Sequence, residues 1–240
     1  MGRSADLRRI EHVLHEVANG TLGLVFIEGE PGIGKSTLLA EVARRAGDLG
    51  FVVYAARAGE LEQGRPFGVI AEALQVRRSR GDDARRAEIA GMLDAPPGEQ
   101  TLYRLVDRVE DLVEAEALVR PVLVSIDDLH WADAATLRVL AGICRGMRPL
   151  PVAIVASLRR QPRDEASTAL LRATSSQAVH LTLRPLDDDE VTVLTRIRLG
   201  SALSGLRGRP ARLPSISGRV SLQGSARGSI SPLLLAARTR

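Results

Sequence analysis

The sequence predicts an α/β fold with a doubly wound, parallel five-stranded sheet flanked by helices. Two observations support this prediction. Five short, nearly continuous apolar runs recur along the chain, as expected for strands buried on both faces of a sheet, and segments of helical periodicity separate most of them. Strands that alternate with helices favour a parallel sheet, in which ligands bind at the carboxyl ends of the strands. With 240 residues, 45% of them hydrophobic, the chain can bury a substantial core.

The first two elements are a helix and a strand. Residues 4 to 18 have the spacing of an amphipathic helix, and Ser4 is a candidate for its N-cap. The apolar stripe of this helix consists of Leu7, Ile10, Leu14 and Val17. Residues 22 to 27 form the first apolar run and are predicted to be a buried strand.

A glycine-rich segment follows this strand and carries the most specific motif of the chain. Its residues are Gly29, Glu30, Pro31, Gly32, Ile33, Gly34, Lys35, Ser36 and Thr37, a complete G-x-x-x-x-G-K-[ST] phosphate-binding loop. The glycines let backbone N–H groups surround a β-phosphate, and Lys35, the only lysine of the chain, reaches the β and γ oxygens. Ser36 supplies a hydroxyl for Mg²⁺. Because a helix N-terminus also favours phosphate, the motif predicts a phosphate-binding site in a P-loop NTPase fold.

The remaining elements are read from the same patterns. Residues 61 to 118 are predicted to be mainly helical, and Asp133 is expected to cap a helix over 134–145. Asp187 and Glu190 have the spacing of a capping box for a further helix. The other strands are predicted at 51–56, 122–126, 152–157 and 179–183.

Two carboxylates follow the third predicted strand directly. Asp127 at the strand end is expected to hold Mg²⁺, usually through water, together with Ser36. Asp128 is expected to orient or deprotonate the water that attacks the γ-phosphate. Adjacent carboxylates are costly unless a cation is close, and this cost favours a functional site.

A basic residue after the fourth strand completes the predicted catalytic set. In the hydrolysing subclass of P-loop proteins this strand lies between the two motif-bearing strands, so a polar residue at its end faces the γ-phosphate. Arg159 is the candidate, with a solvent-facing arginine as the open alternative. Lys35, Asp128 and Arg159 are therefore the predicted catalytic residues.

Composition restricts the remaining function classes. One cysteine, Cys144, excludes an intramolecular disulfide and lies on an apolar helical stripe, which favours a buried structural thiol. No signal-peptide pattern opens the chain, and no apolar run approaches the ~20 residues that cross a bilayer, so we expect a cytoplasmic protein without membrane contact.

The C-terminal segment differs in composition from the rest. Ser, Arg, Gly and Pro make up 24 of residues 200 to 240, and residues 191 to 240 contain nine arginines and no acid. We therefore predict an ATPase domain at 1–199 and a disordered, basic, low-complexity tail at 200–240. A flexible terminus and a reading frame shifted near residue 200 both explain this composition.

These motifs resemble the signal-transduction ATPases with numerous domains, which are AAA-type P-loop proteins, and within them the large ATP-binding regulators of the LuxR type. The matching segments, spread over about residues 2 to 198, are Gly2-Arg3, Glu28 to Thr37, the string Asp127-Asp128-Leu129-His130-Trp131-Ala132-Asp133, the strand that begins at residue 152, and Leu183 to Leu186. The resemblance implies a switch in which ATP binding rearranges the module and slow hydrolysis resets it. It also places Gly2 and Arg3 near the adenine, and makes His130 and Trp131 supports of the acid loop.

The chain also departs from this family. A full regulator continues into a helical lid, a helical-repeat sensor and a C-terminal helix-turn-helix, and none is recognisable in the sequence. We therefore expect a chain truncated before these regions, with ATP and ADP as ligands, self-association on ATP binding, and no specific DNA binding of its own.

Other functions remain open to different degrees. The guanine-reading motif of GTPases requires a second lysine, which the chain lacks. A small-molecule kinase shares the phosphate loop, but the adjacent acids and the Trp-Ala-Asp string fit it poorly. A nucleotide-binding module that does not turn over and a nonfunctional fragment are the remaining alternatives.

Overall fold

The computed structural model describes residues 3–76, 83–94, 99–147, 149–159 and 165–185. Within these ranges the strands are β1 (Gly23–Glu28), β2 (Val52–Arg57), β3 (Val122–Asp127), β4 (Val152–Leu158) and β5 (Ala178–Thr182). The helices are α1 (Ser4–Ala18), α2 (Lys35–Asp48), α3 (Gly68–Ala73), α4 (Ala84–Leu93), α5 (Glu99–Ala117), α6 (Ala134–Gly146) and α7 (Glu165–Thr174). Short 3₁₀ turns lie at Glu60–Gly64 and Leu129–Trp131.

The five strands form one sheet in the order β2-β3-β4-β1-β5, and all neighbouring strands are parallel. This arrangement confirms the predicted α/β fold and five-stranded parallel sheet. It also places β4 between β1 and β3, as expected for the hydrolysing subclass. The glycine loop after β1 and the two acids at the end of β3 therefore lie at the same sheet edge, with the end of β4 between them.

Helices cover both faces of the sheet. In β1, Val25 and Ile27 belong to the cluster that contains α1 and α2, whereas Leu24 and Phe26 belong to the cluster that contains α3 to α7. Because both faces are covered, the strand needs no polar alternation, and this explains the continuous apolar runs of the sequence.

The element boundaries differ from the predicted ones by only a few residues, but one cap differs. Helix α1 begins at Ser4, so Arg3 occupies the N-cap position, and no side chain of a described residue caps this end of the helix. The prediction that Ser4 caps this helix is therefore wrong. Asp187, Glu190 and the predicted tail at 200–240 lie outside the described residues.

Two further sequence expectations can be compared with the structure. The side chain of Cys144 is buried on α6, and burial raises the pKa of its thiol to about 12, as suits a structural cysteine. Among the described helices, none has the length and apolar character needed to cross a membrane.

Asp133 joins the start of α6 to the start of α3. Its carboxylate, 3% exposed, accepts hydrogen bonds from the backbone N–H and hydroxyl of Thr136 at 2.8 and 2.6 Å and from the backbone N–H of Phe67 at 2.9 Å. The predicted helix cap is thus confirmed. It also fixes a second helix, because Phe67 is the N-cap residue of α3 and has a positive φ of 58°.

Replacing Asp133 with alanine is expected to lower the free energy of unfolding by about 3 kcal/mol, because two buried backbone N–H donors lose their acceptor. Asp83→Ala is the matched control. Asp83 caps α4 through Arg85 and Arg86, but its side chain is more exposed, so we expect a loss of about 1 kcal/mol. Urea denaturation measures both values, and equal losses would contradict the link between α6 and α3.

Candidate nucleotide-binding site

The loop between β1 and α2 requires glycine at several positions. Gly32 and Gly34 have φ of 76° and 99°, a region that strains L-residues, and Gly34 is the N-cap of α2. At Gly29 an added Cβ would lie 2.9 Å from Ile33 Cγ2 and 3.3 Å from Leu183 Cβ. The loop therefore curls tightly, and a ligand bound above it can approach the loop backbone closely.

Lys35 is held within this loop. Its side chain is buried, and Nζ donates hydrogen bonds to the carbonyl oxygens of Gly29 at 2.9 Å and Glu30 at 3.0 Å. These two carbonyls keep the ammonium beside the loop and satisfy two of its three donors. The third donor and the positive charge remain available for an anion.

A cavity of about 290 Å³ lies above the loop. It is lined by Pro31, Gly32, Gly34, Lys35, Ser36, Thr37, Arg57, Asp128 and Arg159. The structure thus brings together the three predicted catalytic residues and six of the loop residues. Three cations face one carboxylate in this lining, a balance that attracts a polyanion.

Arg3 lies beside the loop and is not part of the cavity lining. Its Nη2 donates a hydrogen bond to the carbonyl of Ile33 at 2.7 Å, and Nη1 lies 3.8 Å from Asp6 Oδ2. Arg3 therefore stabilises the loop from α1. Gly2 lies outside the described residues, and contact of Arg3 with an adenine stays a prediction.

The two acids at the end of β3 are held by a serine that sequence reasoning missed. Ser157 Oγ donates to Asp127 Oδ1 at 2.5 Å and accepts from the backbone N–H of Asp128 at 2.8 Å. Asp128 itself has a positive φ of 55°. Ser157 is a fully buried hydroxyl near the end of an otherwise apolar strand, and this small polar residue was the available signal.

Arg57 is a second residue that sequence reasoning missed. Its Nη2 and Nε donate to Asp128 Oδ2 at 3.0 and 3.2 Å, and Nε lies 3.9 Å from Asp127 Oδ2. The parallel pairing of β2 with β3 sets Arg57 opposite Asp127, and this register explains the contact. The guanidinium of Arg57 therefore supplies part of the positive charge that the adjacent acids require.

The residues predicted for Mg²⁺ fit that ion chemically. Ser36 and Asp127 both line a cavity of about 310 Å³ between α2, β2 and β3, and both offer the oxygen donors that Mg²⁺ prefers. Among the described residues no group of three or more His, Cys, Asp or Glu side chains could hold a metal ion. A magnesium site here would rely on these two residues, on waters and on substrate oxygens.

Arg159 of the cavity lining contacts Trp131, which in turn contacts His130. The guanidinium carbon of Arg159 lies 5.5 Å from the centre of the Trp131 ring, and the His130 ring lies 5.2 Å from the Trp131 ring, tilted by 42°. His130 is 7% exposed, and within the described ranges neither of its ring nitrogens has a hydrogen-bond partner. Burial is the main cause that lowers the pKa of His130, and the charges of Arg159 and Lys35 add to it against those of Asp128 and Asp127.

The lowered pKa of His130 predicts a loss of stability in acid. The unfolded chain takes up the proton near pH 6.5, whereas the folded chain resists it, so the free energy of unfolding should fall as the pH drops below 6.5 toward the folded pKa. His130→Leu should reduce this slope. Urea titrations over a pH series measure this slope. An unchanged slope in His130→Leu would mean that His130 does not cause the loss of stability in acid.

A family model described as "AAA ATPase domain" matches residues 1–155, a range that contains both motifs and ends within β4. A curated relative, an uncharacterized protein of Rhizobium meliloti (strain 1021), is 24% identical over 230 residues, which cover 82% of this chain and 22% of that protein. The chain therefore spans about a fifth of the length of this relative.

Solved structures with the same fold include the ORC1 protein of Aeropyrum pernix in complex with DNA, with 20% identity and a TM-score of 0.53 over 83% of this chain and 49% of that one. Cdc6p from Pyrobaculum aerophilum has 14% identity and a TM-score of 0.56, with 83% and 49% covered. The ORC2 protein of Aeropyrum pernix, solved as ADPNP-ADP complexes, has 17% identity and a TM-score of 0.54, with 82% and 52% covered. At these identities the similarity shows the fold alone, over about half of each solved chain.

Proposed function

We propose that this chain, which belongs to the AAA ATPase domain family, is a switch module that binds ATP with Mg²⁺ and hydrolyses it slowly. The observation that carries the proposal is the cavity in which Lys35, Asp128 and Arg159 converge on the glycine loop. These residues come from three separate segments of the chain. Each has a distinct task in phosphoryl transfer from a nucleoside triphosphate to water.

Binding uses the loop and its lysine. The backbone N–H groups of residues 32 to 37 and the N-terminus of α2 attract the β-phosphate. Lys35 exchanges its contacts with the carbonyls of Gly29 and Glu30 for oxygens of the β- and γ-phosphates. Ser36 and Asp127 would hold Mg²⁺, and the ion would supply positive charge beside the phosphates.

Hydrolysis uses Asp128 as the base. Both hydrogen bonds from Arg57 engage Oδ2, so Oδ1 is the oxygen that accepts a proton from water. The water oxygen forms a bond to the γ-phosphorus, the bond to the β,γ-bridging oxygen breaks, and ADP and inorganic phosphate leave. Arg159 stabilises the negative charge on the transferred group.

The finer proposal concerns the biological role. The string from Asp127 to Asp133 supports a relation to the large ATP-binding LuxR-type regulators, in which such a module transmits a signal by changing conformation with its nucleotide. By this proposal ATP favours self-association of the module and ADP does not.

A second function is favoured by one contact. The ion pair between Arg57 and Asp128 occupies one oxygen of the predicted base, an arrangement that suits a module which retains nucleotide without turning it over. The two proposals differ only in hydrolysis.

The deciding experiment follows phosphate release from MgATP by the purified chain, with calorimetric titration of MgATP and MgADP alongside and MgGTP as a comparison nucleotide. Binding with phosphate release above the variant Asp128→Asn supports the hydrolysing switch. Binding without release supports the second function. A folded chain that binds neither MgATP nor MgADP overturns both proposals.

A further inference from the structure

We propose that Trp131 is a positioning residue, which holds Arg159 beside the phosphate cavity and thereby lets the module distinguish ATP from ADP. This proposal rests on the proposed function, because it concerns the nucleotide of that same site. The pair joins two segments of the chain, since Trp131 ends the 3₁₀ turn after β3 and Arg159 follows β4 directly.

The Trp131 ring has a rigid support. Its backbone N–H donates to the carbonyl of Asp128 at 2.9 Å, and the turn is anchored by the side chains of Leu129 and His130, 1% and 7% exposed. The His130 ring lies against the indole at a centroid distance of 5.2 Å. The indole therefore offers a fixed surface to the guanidinium of Arg159, whose carbon lies 5.5 Å from the ring centre.

An aromatic surface orients a guanidinium without using its donors. The ring attracts the cation through its π face, so the N–H groups stay free to bind phosphate oxygens. Arg57, which lines the same cavity, shows the contrast, because its Nε and Nη2 both donate to Asp128. Within the described part of the chain, no hydrogen bond or ion pair engages the Arg159 guanidinium, which lines the same cavity.

This arrangement implies selectivity for the triphosphate. Lys35 and the loop can hold the β-phosphate of ADP and ATP alike, whereas Arg159 stands after β4, the strand between the two motif-bearing strands, where the γ-phosphate is expected. A phosphate that engages Arg159 changes the surroundings of the indole. Trp131 is the only tryptophan of the chain, so its fluorescence reports this event directly.

The first test measures tryptophan emission of the whole chain. Replacing Arg159 with glutamine should change the emission of the nucleotide-free protein, because the cation over the ring is lost. In the wild type, MgATP should change the emission more than MgADP, and in Arg159→Gln this difference should disappear. Calorimetry on the same samples gives both affinities.

The second test compares Trp131→Leu, which removes the ring, with Trp131→Phe, which keeps a smaller π face. Trp131→Leu should reduce the preference for ATP over ADP by roughly two- to fivefold, the equivalent of an exposed cation–π contact. Trp131→Phe should lose less. In the double variant Trp131→Leu/Arg159→Gln, the tryptophan change should add nothing to the loss caused by Arg159→Gln, because it acts through that arginine.

Matched controls distinguish loss of the contact between Trp131 and Arg159 from a general loss of folding. Tyr103→Leu removes an exposed aromatic ring on α5 outside the cavity lining and should leave both affinities unchanged. Circular dichroism and thermal unfolding check each variant. If Trp131→Leu does not fold, Trp131→Phe and the emission of Arg159→Gln still decide the proposal.

Three outcomes would overturn the proposal. The first is an emission spectrum that Arg159→Gln leaves unchanged, and the second is an equal change in wild-type emission on adding MgATP and MgADP. The third is that Trp131→Leu reduces the preference for ATP over ADP equally in the wild type and in Arg159→Gln. In these cases nucleotide binding and phosphate release by the wild type leave the proposed function standing. A wild-type chain that binds no nucleotide overturns the proposed function itself and this proposal with it.

Discussion

Lys35→Ala is expected to weaken MgATP binding by about 100-fold or more, because it removes the ammonium whose charge-assisted hydrogen bonds reach the phosphates. The side chain is buried within the loop and contacts two of its carbonyls. As the only lysine of the chain, it has no neighbouring lysine to replace it. Calorimetric titration of the wild type and the variant measures the difference.

The control for this substitution is Arg44→Ala. Arg44 lies on the same helix and also carries a positive charge, but it is exposed and pairs with Glu41 and Asp48 away from the cavity. Its loss should leave MgATP affinity nearly unchanged. If Lys35→Ala keeps wild-type affinity while thermal unfolding shows a folded protein, the loop is not the phosphate site.

Asp128→Asn is expected to lower the rate of phosphate release by about 10² to 10⁴-fold, because the amide cannot take the proton of the attacking water. The affinity for MgATP should change little, since Asp128 acts on the water and the loop provides most of the binding. Single-turnover phosphate release and calorimetry on the same preparation separate the two effects.

The substitution also removes the ion pair with Arg57, so a second variant is needed. Arg57→Gln breaks the same pair and leaves the carboxylate of Asp128 in place. We expect a much smaller change in phosphate release from Arg57→Gln than from Asp128→Asn. Equal losses would mean that the ion pair matters and that Asp128 is not the base.

The strands and the loop could be predicted because their causes are local. Continuous apolar runs follow from burial on both faces, and the cap made by Asp133 follows from its position before α6. Local signals were weaker where two interpretations compete. The sequence pattern predicts Ser4 as the N-cap of α1, but Ser4 is the first residue of the helix and Arg3 occupies the N-cap position.

The polar partners of the site could not be predicted in the same way. The contact of Arg57 with Asp128 joins residues 71 positions apart, and that of Ser157 with Asp127 joins residues 30 positions apart. No motif links these residues, since their proximity depends on the order and register of β2, β3 and β4.

The sequence alone determined the chemistry of the phosphate loop, because glycine, lysine and serine must stand at fixed spacing in one continuous segment. The tertiary structure decided which side chains surround that loop. Parallel pairing brings the ends of distant strands to one edge of the sheet, and there Arg57 meets Asp128 and Trp131 supports Arg159. Such contacts are set by how the strands pack, and packing is a property of the folded chain as a whole.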